Sequence, residues 1–239
     1  MLSERNKTYK PMKKLTILSG AGISAESGIK TFRDGDGLWE NHNITDVASP
    51  EGWRKDPALV LEFYNQRRRQ LHQVQPNEAH YLLAELENHF KVQIITQNID
   101  DLHERAGSTD ILHLHGELFK SCSCNNKDLI YEQKEDINIG DKAEDGGQLR
   151  PFIVWFGEDV PMFQPAREIV KESDILLVIG TSLQVYPAAG LIHDIKDDCL
   201  LIVINPNETG FGYGKRAVVM KETATQGMKL LFDKLVNLA

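Results

Sequence analysis

No apolar run in this 239-residue chain approaches the ~20 residues that a helix needs to span a bilayer, which argues against a membrane-spanning protein. Cysteine is scarce: there are three, in no arrangement that suggests a disulfide framework. That fits a reducing compartment, and the chain reads as cytoplasmic. An excess of positive charge is also lacking. Lys and Arg number 27 against 35 Asp and Glu, a formal net charge of −8, which argues against a nucleic-acid partner. The run Arg67-Arg68-Arg69 is a local basic exception. The opening segment MLSERNKTYKPMKK is basic but has no apolar core, so it reads as a frayed tail and not a secretory signal. Internal repeats and low-complexity tracts are absent. What remains is an ordinary globular composition, with 41% hydrophobic and 26% charged residues, in a chain long enough for one sizeable core.

The most informative stretch is LTILSGAGISAESGIKTFRDGDGLW, from Leu15 to Trp39. An apolar strand-like run stops at Gly20-Ala21-Gly22, where the backbone can turn tightly and approach a ligand. Gly20, Gly22 and Ala25 satisfy G-x-G-x-x-G/A, the spacing that sets a pyrophosphate at a helix N-terminus. The segment after the glycines is polar, with Ser24, Ser27, Phe32, Arg33 and Asp36, where a plain amphipathic helix would be expected.

Short apolar runs at 15–18, 92–96, 111–114, 175–179, 200–204 and 217–220 suit strands buried on both faces of a parallel sheet. Helix-like segments at 57–73, 77–88, 165–171, 188–196 and 225–236 alternate with them. The pattern predicts an α/β fold, a Rossmann-like doubly wound sheet with its ligand crevice at the carboxyl ends of the strands. Two long excursions, about 38–88 and 119–150, interrupt the rhythm and are expected to build a smaller lobe. The larger lobe then comprises about 12–37, 89–118 and 151–239, within a single domain.

Several expected strand ends carry residues suited to a nucleotide. Gln97, Asn98, Ile99 and Asp100 follow one strand, and an amide beside a carboxylate suits ribose hydroxyls and a carboxamide. The same residues could equally cap the next helix through Asp100 or Asp101. His113 and His115 end another strand on one side of it. A histidine there is a reasonable general base, and a structural histidine is the simpler alternative. Gly180-Thr181-Ser182 and Asn205-Pro206-Asn207 end two further strands.

GAGISAESGIKTFRDGDGLW, TQNID, HLHGE, WFGE, GTSLQVYPAAG and Ile204-Asn205, in this order, resemble the sirtuin family of NAD-dependent protein lysine deacylases. The resemblance runs from Lys14 to the C-terminal helix and implies a Rossmann-like lobe with a small lobe made from two insertions. It assigns Gly20, Ala21, Gly22, Phe32, Arg33 and Trp39 to the cofactor loop, and Gln97, Asn98, Ile99 and Asp100 to the nicotinamide ribose and carboxamide. Gly180, Thr181, Ser182, Asn205, Pro206, Asn207 and Ala224 would serve the phosphates and adenosine. Asn98, Asp100 and His115 would be catalytic, with His115 the base. The segments Val154 to Glu158, with Val154, Phe156, Gly157 and Glu158 as substrate contacts, and Leu183 to Val185 would form two edges between which the substrate backbone adds as a strand. The implied reaction consumes NAD. The acyl oxygen attacks the ribose as nicotinamide leaves, His115 activates a ribose hydroxyl, and water releases lysine and O-acyl-ADP-ribose. A dehydrogenase, an ADP-ribosyltransferase and a silent NAD- or acyl-lysine-binding module are the alternatives. Nothing in the motifs speaks to the oligomeric state.

Two features refine the resemblance. Tyr64 and Arg67, three residues apart on one helix face, resemble the pair that recognises the acyl carboxylate in sirtuins acting on succinyl, malonyl or glutaryl lysine. The competing view is that Arg67 belongs to a solvated basic face. The second feature is a departure. Most sirtuins carry a four-cysteine zinc site, but here Cys122 and Cys124 stand one residue apart, and the next cysteine is Cys199. No histidine occurs between His115 and His193. We therefore expect no bound zinc.

Overall fold

The computed structural model describes residues 11–30, 38–39 (backbone only), 42–207 and 217–239. In chain order the strands are β1 (Lys14–Ser19), β2 (Leu38–Trp39), β3 (His42–Asn43), β4 (Lys91–Thr96), β5 (Ile111–His113), β6 (Gly116–Ser123), β7 (Ile130–Glu132), β8 (Leu149–Ile153), β9 (Ile175–Ile179), β10 (Leu200–Ile204) and β11 (Ala217–Met220). The helices are α1 (Gly22–Ala25), α2 (Ile44–Val47), α3 (Pro50–Lys55), α4 (Pro57–Leu71), α5 (Glu78–Glu85), α6 (Leu102–Ala106), α7 (Phe163–Lys171) and α8 (Ala224–Val236).

Six strands form one sheet in the order β11-β10-β9-β1-β4-β5, with every pairing parallel. The chain fills one side of β1 with β4 and β5, then crosses to the other for β9, β10 and β11. The order therefore reverses between β1 and β9, the place where an open α/β sheet leaves a crevice. Alternation decides what each face buries. Leu15 and Ile17 of β1, with Leu177, Ile179, Ile202 and Ile204, face Ala79 and Leu83 of α5 and Met228, Leu231 and Leu235 of α8. Leu18, Leu176, Val178, Leu201 and Val203 face Ala166 and Val170 of α7 and the 3₁₀ turn Ala188–His193.

Three sequence expectations need correction. β11 is not buried on both faces. It is an edge strand with β10 as its neighbour in the sheet, and Val218 and Val219 are each 47% exposed. The segment 188–196 makes a 3₁₀ turn in place of an α-helix; Gly190 within it disfavours the longer element, and Gly190 N–H bonds the Pro187 carbonyl. The end of the first excursion does not join a small lobe, because α5 lies on the large sheet against α8.

The smaller unit is the antiparallel sheet β7-β6-β8, with α4 against β6 and β8. Its apolar cluster draws Val60, Phe63, Tyr64 and Leu71 from α4, Leu118 from β6, and Ile153 and Trp155 from the end of β8 onward. Polar bonds join its parts. Asn65 Nδ2 donates to the Ile137 carbonyl while Asn65 Oδ1 accepts from Ile137 N–H, both at 2.9 Å. Arg68, wholly buried, donates to the same Oδ1 at 2.7 Å and to the Leu118 carbonyl at 3.1 Å.

Candidate active site

A cavity of about 600 Å³ opens at the carboxyl ends of the parallel strands, within the usual size of a ligand pocket. Gly20, Ala21 and Gly22 reach it after β1, Gln97 to Asp100 after β4, and His115 after β5. Gly180, Thr181 and Ser182 follow β9, Asn205, Pro206 and Asn207 follow β10, and Ala224 starts α8. Tyr64 and Arg67 of α4, with Val154, Phe156, Gly157, Glu158 and Val185, line it as well. Phe32, Arg33 and the Trp39 side chain lie outside the described residues.

The glycines do more than approach a ligand. A Cβ on Gly20 would sit 2.6 Å from Thr181 Cβ, and one on Gly22 would sit 2.8 Å from Gly180 Cα. Gly20 N–H bonds the Ile179 carbonyl at 3.0 Å and Gly22 N–H bonds the Gly180 carbonyl at 2.8 Å. Gly180 itself has φ +66°, a conformation that favours glycine. The loops after β1 and β9 thus lock together across the switch point, and their close approach to each other is the first demand on these residues.

Beside them, one hydroxyl joins two candidate side chains. Ser24 Oγ donates to Asp100 Oδ2 at 2.9 Å and accepts from Asn98 Nδ2 at 3.1 Å, and all three residues are buried. The other oxygen of Asp100 accepts from Leu102 N–H at 3.2 Å, so Asp100 both holds the start of α6 and lines the cleft. Burial pushes its carboxyl up to about 6, against the opposing pull of the Ser24 bond.

The two histidines of HLHGE take different places. His113 Nε2 meets Glu104 at 2.7 Å and its Nδ1 meets the Asn98 carbonyl at 3.2 Å. His115 lines the cleft, with Nδ1 at 3.0 Å from the Gln97 carbonyl. A carbonyl oxygen can only accept, so Nδ1 carries the proton and Nε2 keeps its lone pair. Burial lowers the His115 pKa, which favours the neutral ring that a general base requires.

The three arginines of α4 also separate. Arg67 is half-buried at the cleft wall, stacked 3.4 Å above the Phe63 ring, with Nη1 on the Phe63 carbonyl at 2.5 Å. Arg68 is in the lobe interior, and Arg69 is outside, paired with Glu62 and Asp136. A uniformly solvated basic face is ruled out. Glu158 is engaged within the chain as well: it pairs with Arg150 and Lys127 and accepts from Trp155 N–H. Those bonds outweigh burial and lower its pKa.

Sequence reasoning did not single out Ser24 as a site residue, and it placed Trp155 only within the expected substrate edge 154–158. The polar character of Ser24 directly after the glycines was a usable signal. Trp155 stands within WFGE; it packs on Trp53 with centroids 5.7 Å apart, lies under Arg150, and lines the cleft.

Residues 20–187 match the model of the Sir2 family. The chain belongs to the Sir2 family. An "NAD-dependent protein deacylase" of Helicobacter pylori is 57% identical over 228 residues, covering 95% of this chain and all of that protein. The crystal structure of a Sir2 homologue–NAD complex superposes with a TM-score of 0.83 at 40% identity, covering 95% of this chain and 90% of the other. A mutant Sir2 homologue in complex with 2′-O-acetyl-ADP-ribose has a TM-score of 0.83 at 38% identity, covering 95% and 93%.

The four-cysteine zinc site common among Sir2 proteins does not fit the residues present. Cys122 is buried and burial raises its pKa, opposing the thiolate a metal needs, while Cys124 is exposed. Cys199 packs in the core of the large sheet. Among the described residues no group of three His, Cys, Asp or Glu side chains is placed to hold a metal ion.

Proposed function

We propose that this Sir2-family chain is an NAD-dependent protein lysine deacylase whose general base is His115. The observation that carries the reading is the fixed Nδ1 proton of His115 in the same cavity as the Ser24–Asn98–Asp100 network. NAD supplies the driving chemistry through its labile nicotinamide–ribose bond. The residues fit it: Asn98 and Asp100 suit the nicotinamide ribose and carboxamide, and the interlocked loops at Gly20–Gly22 and Gly180–Ser182 suit the phosphates. His115 Nε2 accepts a proton from a ribose hydroxyl, and the Gln97 carbonyl steadies the charged ring that results.

The acylated protein enters as a strand between 154–158 and 183–185. The N–H groups of Val154, Trp155, Phe156 and Glu158 are bonded within the chain, to His115 O, Glu158 Oε2, Ala48 O and Trp155 O. The first edge therefore offers the substrate chiefly carbonyl oxygens, and main-chain pairing gives affinity with little sequence preference.

The acyl group extends toward Tyr64 and Arg67, and an acyl tail ending in a carboxylate, succinyl or malonyl, suits this pair. Arginine can grip a carboxylate through two N–H groups, and the Phe63 stack pre-orients it. The small lobe holds no zinc and rests on the Asn65, Arg68 and Ser123–Asp145 bonds. The chain works in the cytoplasm, in keeping with its three free cysteines. Among the described residues no helix is long and apolar enough to cross a membrane.

The test is mass spectrometry on acetyl, succinyl, malonyl and glutaryl lysine peptides, with and without NAD. NAD-dependent loss of the acyl group with release of nicotinamide and O-acyl-ADP-ribose is expected. NAD binding without turnover on any peptide would reject the reading. Metal analysis of tag-free protein tests the lobe, and one zinc per chain would overturn that part.

A further inference from the structure

Asn98 is held on both sides of its backbone as well as through its side chain. Its N–H donates to Thr96 Oγ1 at 3.1 Å, and that hydroxyl also accepts from Ser19 Oγ at 2.9 Å. Ser19 Oγ lies 2.9 Å from Nε2 of His103, a buried ring of α6. Since Ser19 gives its proton to Thr96, it accepts from His103 Nε2. Burial, with His80 and His113 nearby, lowers the His103 pKa, so this side of Asn98 carries no charge to lose.

The carbonyl side differs. His113 Nδ1 lies 3.2 Å from the Asn98 carbonyl, and His113 Nε2 lies 2.7 Å from Glu104 Oε1. A carbonyl and a carboxylate only accept, so both ring nitrogens carry protons and His113 is an imidazolium. Its side chain is 9% exposed. Burial opposes the charge, but Glu104 from α6, Glu117 from β6 and the Asn98 carbonyl outweigh it, and the pKa is raised. Asp100 after β4 and His103 of α6 also lie within its field. A neutral His113 has one proton for two acceptors. The Glu104 bond is shorter and charge-assisted, so the proton stays there and the Nδ1 lone pair faces the Asn98 carbonyl. Two lone pairs so placed repel, and the loop shifts at Asn98.

We propose that His113 is a positioning residue: its imidazolium, paired with Glu104, fixes the Asn98 peptide in the cleft, and losing that proton releases Asn98 and slows turnover. The inference rests on the proposed catalytic role of Asn98 and adds an alkaline limit to it. That limit is set by a ring that acts only through another residue.

The experiment records kcat and the KM for NAD against pH, on the acyl-lysine peptide that turns over fastest, for wild type, Glu104→Gln and His113→Gln. Nitrogen NMR of the histidine rings reads the charge of His113 directly. Wild type is expected to show a charged His113 at neutral pH and an alkaline fall in kcat where that ring loses its proton. A glutamine amide at 104 can donate to Nε2, which leaves the one proton of a neutral ring on the Asn98 carbonyl. Glu104→Gln is therefore expected to flatten the alkaline fall. His113→Gln has no ring to titrate and is expected to lower kcat about ten-fold without that fall, because a displaced catalytic group costs rate more than affinity. A neutral His113 at neutral pH overturns the inference, as does the absence of an alkaline fall in wild type. An alkaline fall that both variants retain also overturns it, since another group then sets the limit and the pair is merely structural. If wild type turns over no acyl peptide, the deacylase reading fails and takes the inference with it.

Discussion

Ser24 donates its hydroxyl proton to the buried carboxylate of Asp100 at 2.9 Å while accepting from the Asn98 amide at 3.1 Å. A residue four positions beyond the first glycine thereby sets the orientation of two side chains at the end of β4. The loop after β1 and the loop after β4 are joined through one oxygen atom.

The partnership leaves Asp100 with a raised pKa of about 6, because burial penalises its charge more than the hydrogen bonds favour it. The folded protein therefore binds this proton more tightly than the unfolded chain does, and stability falls as pH rises from about 4 through 6. Asp100→Asn is expected to stabilise the protein above pH 6, by at most about 3 kcal/mol from the displacement above an ordinary carboxyl. The gain vanishes below pH 4, and NAD-dependent turnover drops. Urea unfolding at pH 4 and 8 measures the difference; a variant less stable than wild type at pH 8 contradicts the account.

His115→Tyr is expected to fold and to bind NAD but to lose deacylation. The ring would no longer present a basic nitrogen to the cleft, and a fall of about 10² to 10⁴ fits removal of a general base. Since burial lowers the His115 pKa, the wild-type ring stays neutral into mildly acidic solution. With its carboxyl near 6, Asp100 adds an acid limb to kcat/KM, and Asp100→Asn, which mimics the protonated acid, should remove that limb and leave a lower rate throughout. Calorimetric NAD binding beside the rate profile separates these effects, and normal turnover in His115→Tyr removes the residue from its role.

Arg67→Met should lower the succinyl-to-acetyl ratio of kcat/KM by at least ten-fold, because a charge-assisted bond to a carboxylate contributes about 1.5–3 kcal/mol. Equal loss on both peptides would mean that Arg67 supports the cleft and not the acyl carboxylate. Its stack on Phe63 makes this control necessary.

The sheet was legible because β1, β4, β9 and β10 are continuous apolar runs, and being buried on both faces leaves such runs few other solutions. The described candidate residues converge on one cavity because strand ends in a doubly wound sheet necessarily gather on one side. Other features were invisible for definite reasons. Arg67, Arg68 and Arg69 look alike in sequence, yet about 100° of helical rotation per residue sends them to cleft, interior and solvent. α5 falls inside a long excursion, and nothing local reveals that its apolar stripe docks beside α8. The bridging role of Ser24 depends on a partner 76 residues away, a distance that only the fold closes.

The small lobe supplies the last prediction. Its helix and the loop near Ile137 meet through Asn65, whose amide exchanges both hydrogen bonds with one backbone residue, much as a strand neighbour would. The same oxygen also accepts from Arg68, whose guanidinium is buried enough that its pKa is lowered to about 10. Asn65→Ala removes all three bonds and leaves a buried cation short of an acceptor. At about 1–3 kcal/mol for each buried group left unpaired, a loss of about 3 kcal/mol is expected in urea unfolding. Proteolysis within 120–150 should accelerate, since that segment loses its tie to α4. If the lobe depends on these bonds and not on a metal, a chelator leaves wild type unchanged while Asn65→Ala loosens it. A cost below about 1 kcal/mol, or a clear drop in the melting temperature with chelator alone, would mean that something other than Asn65 joins the two parts.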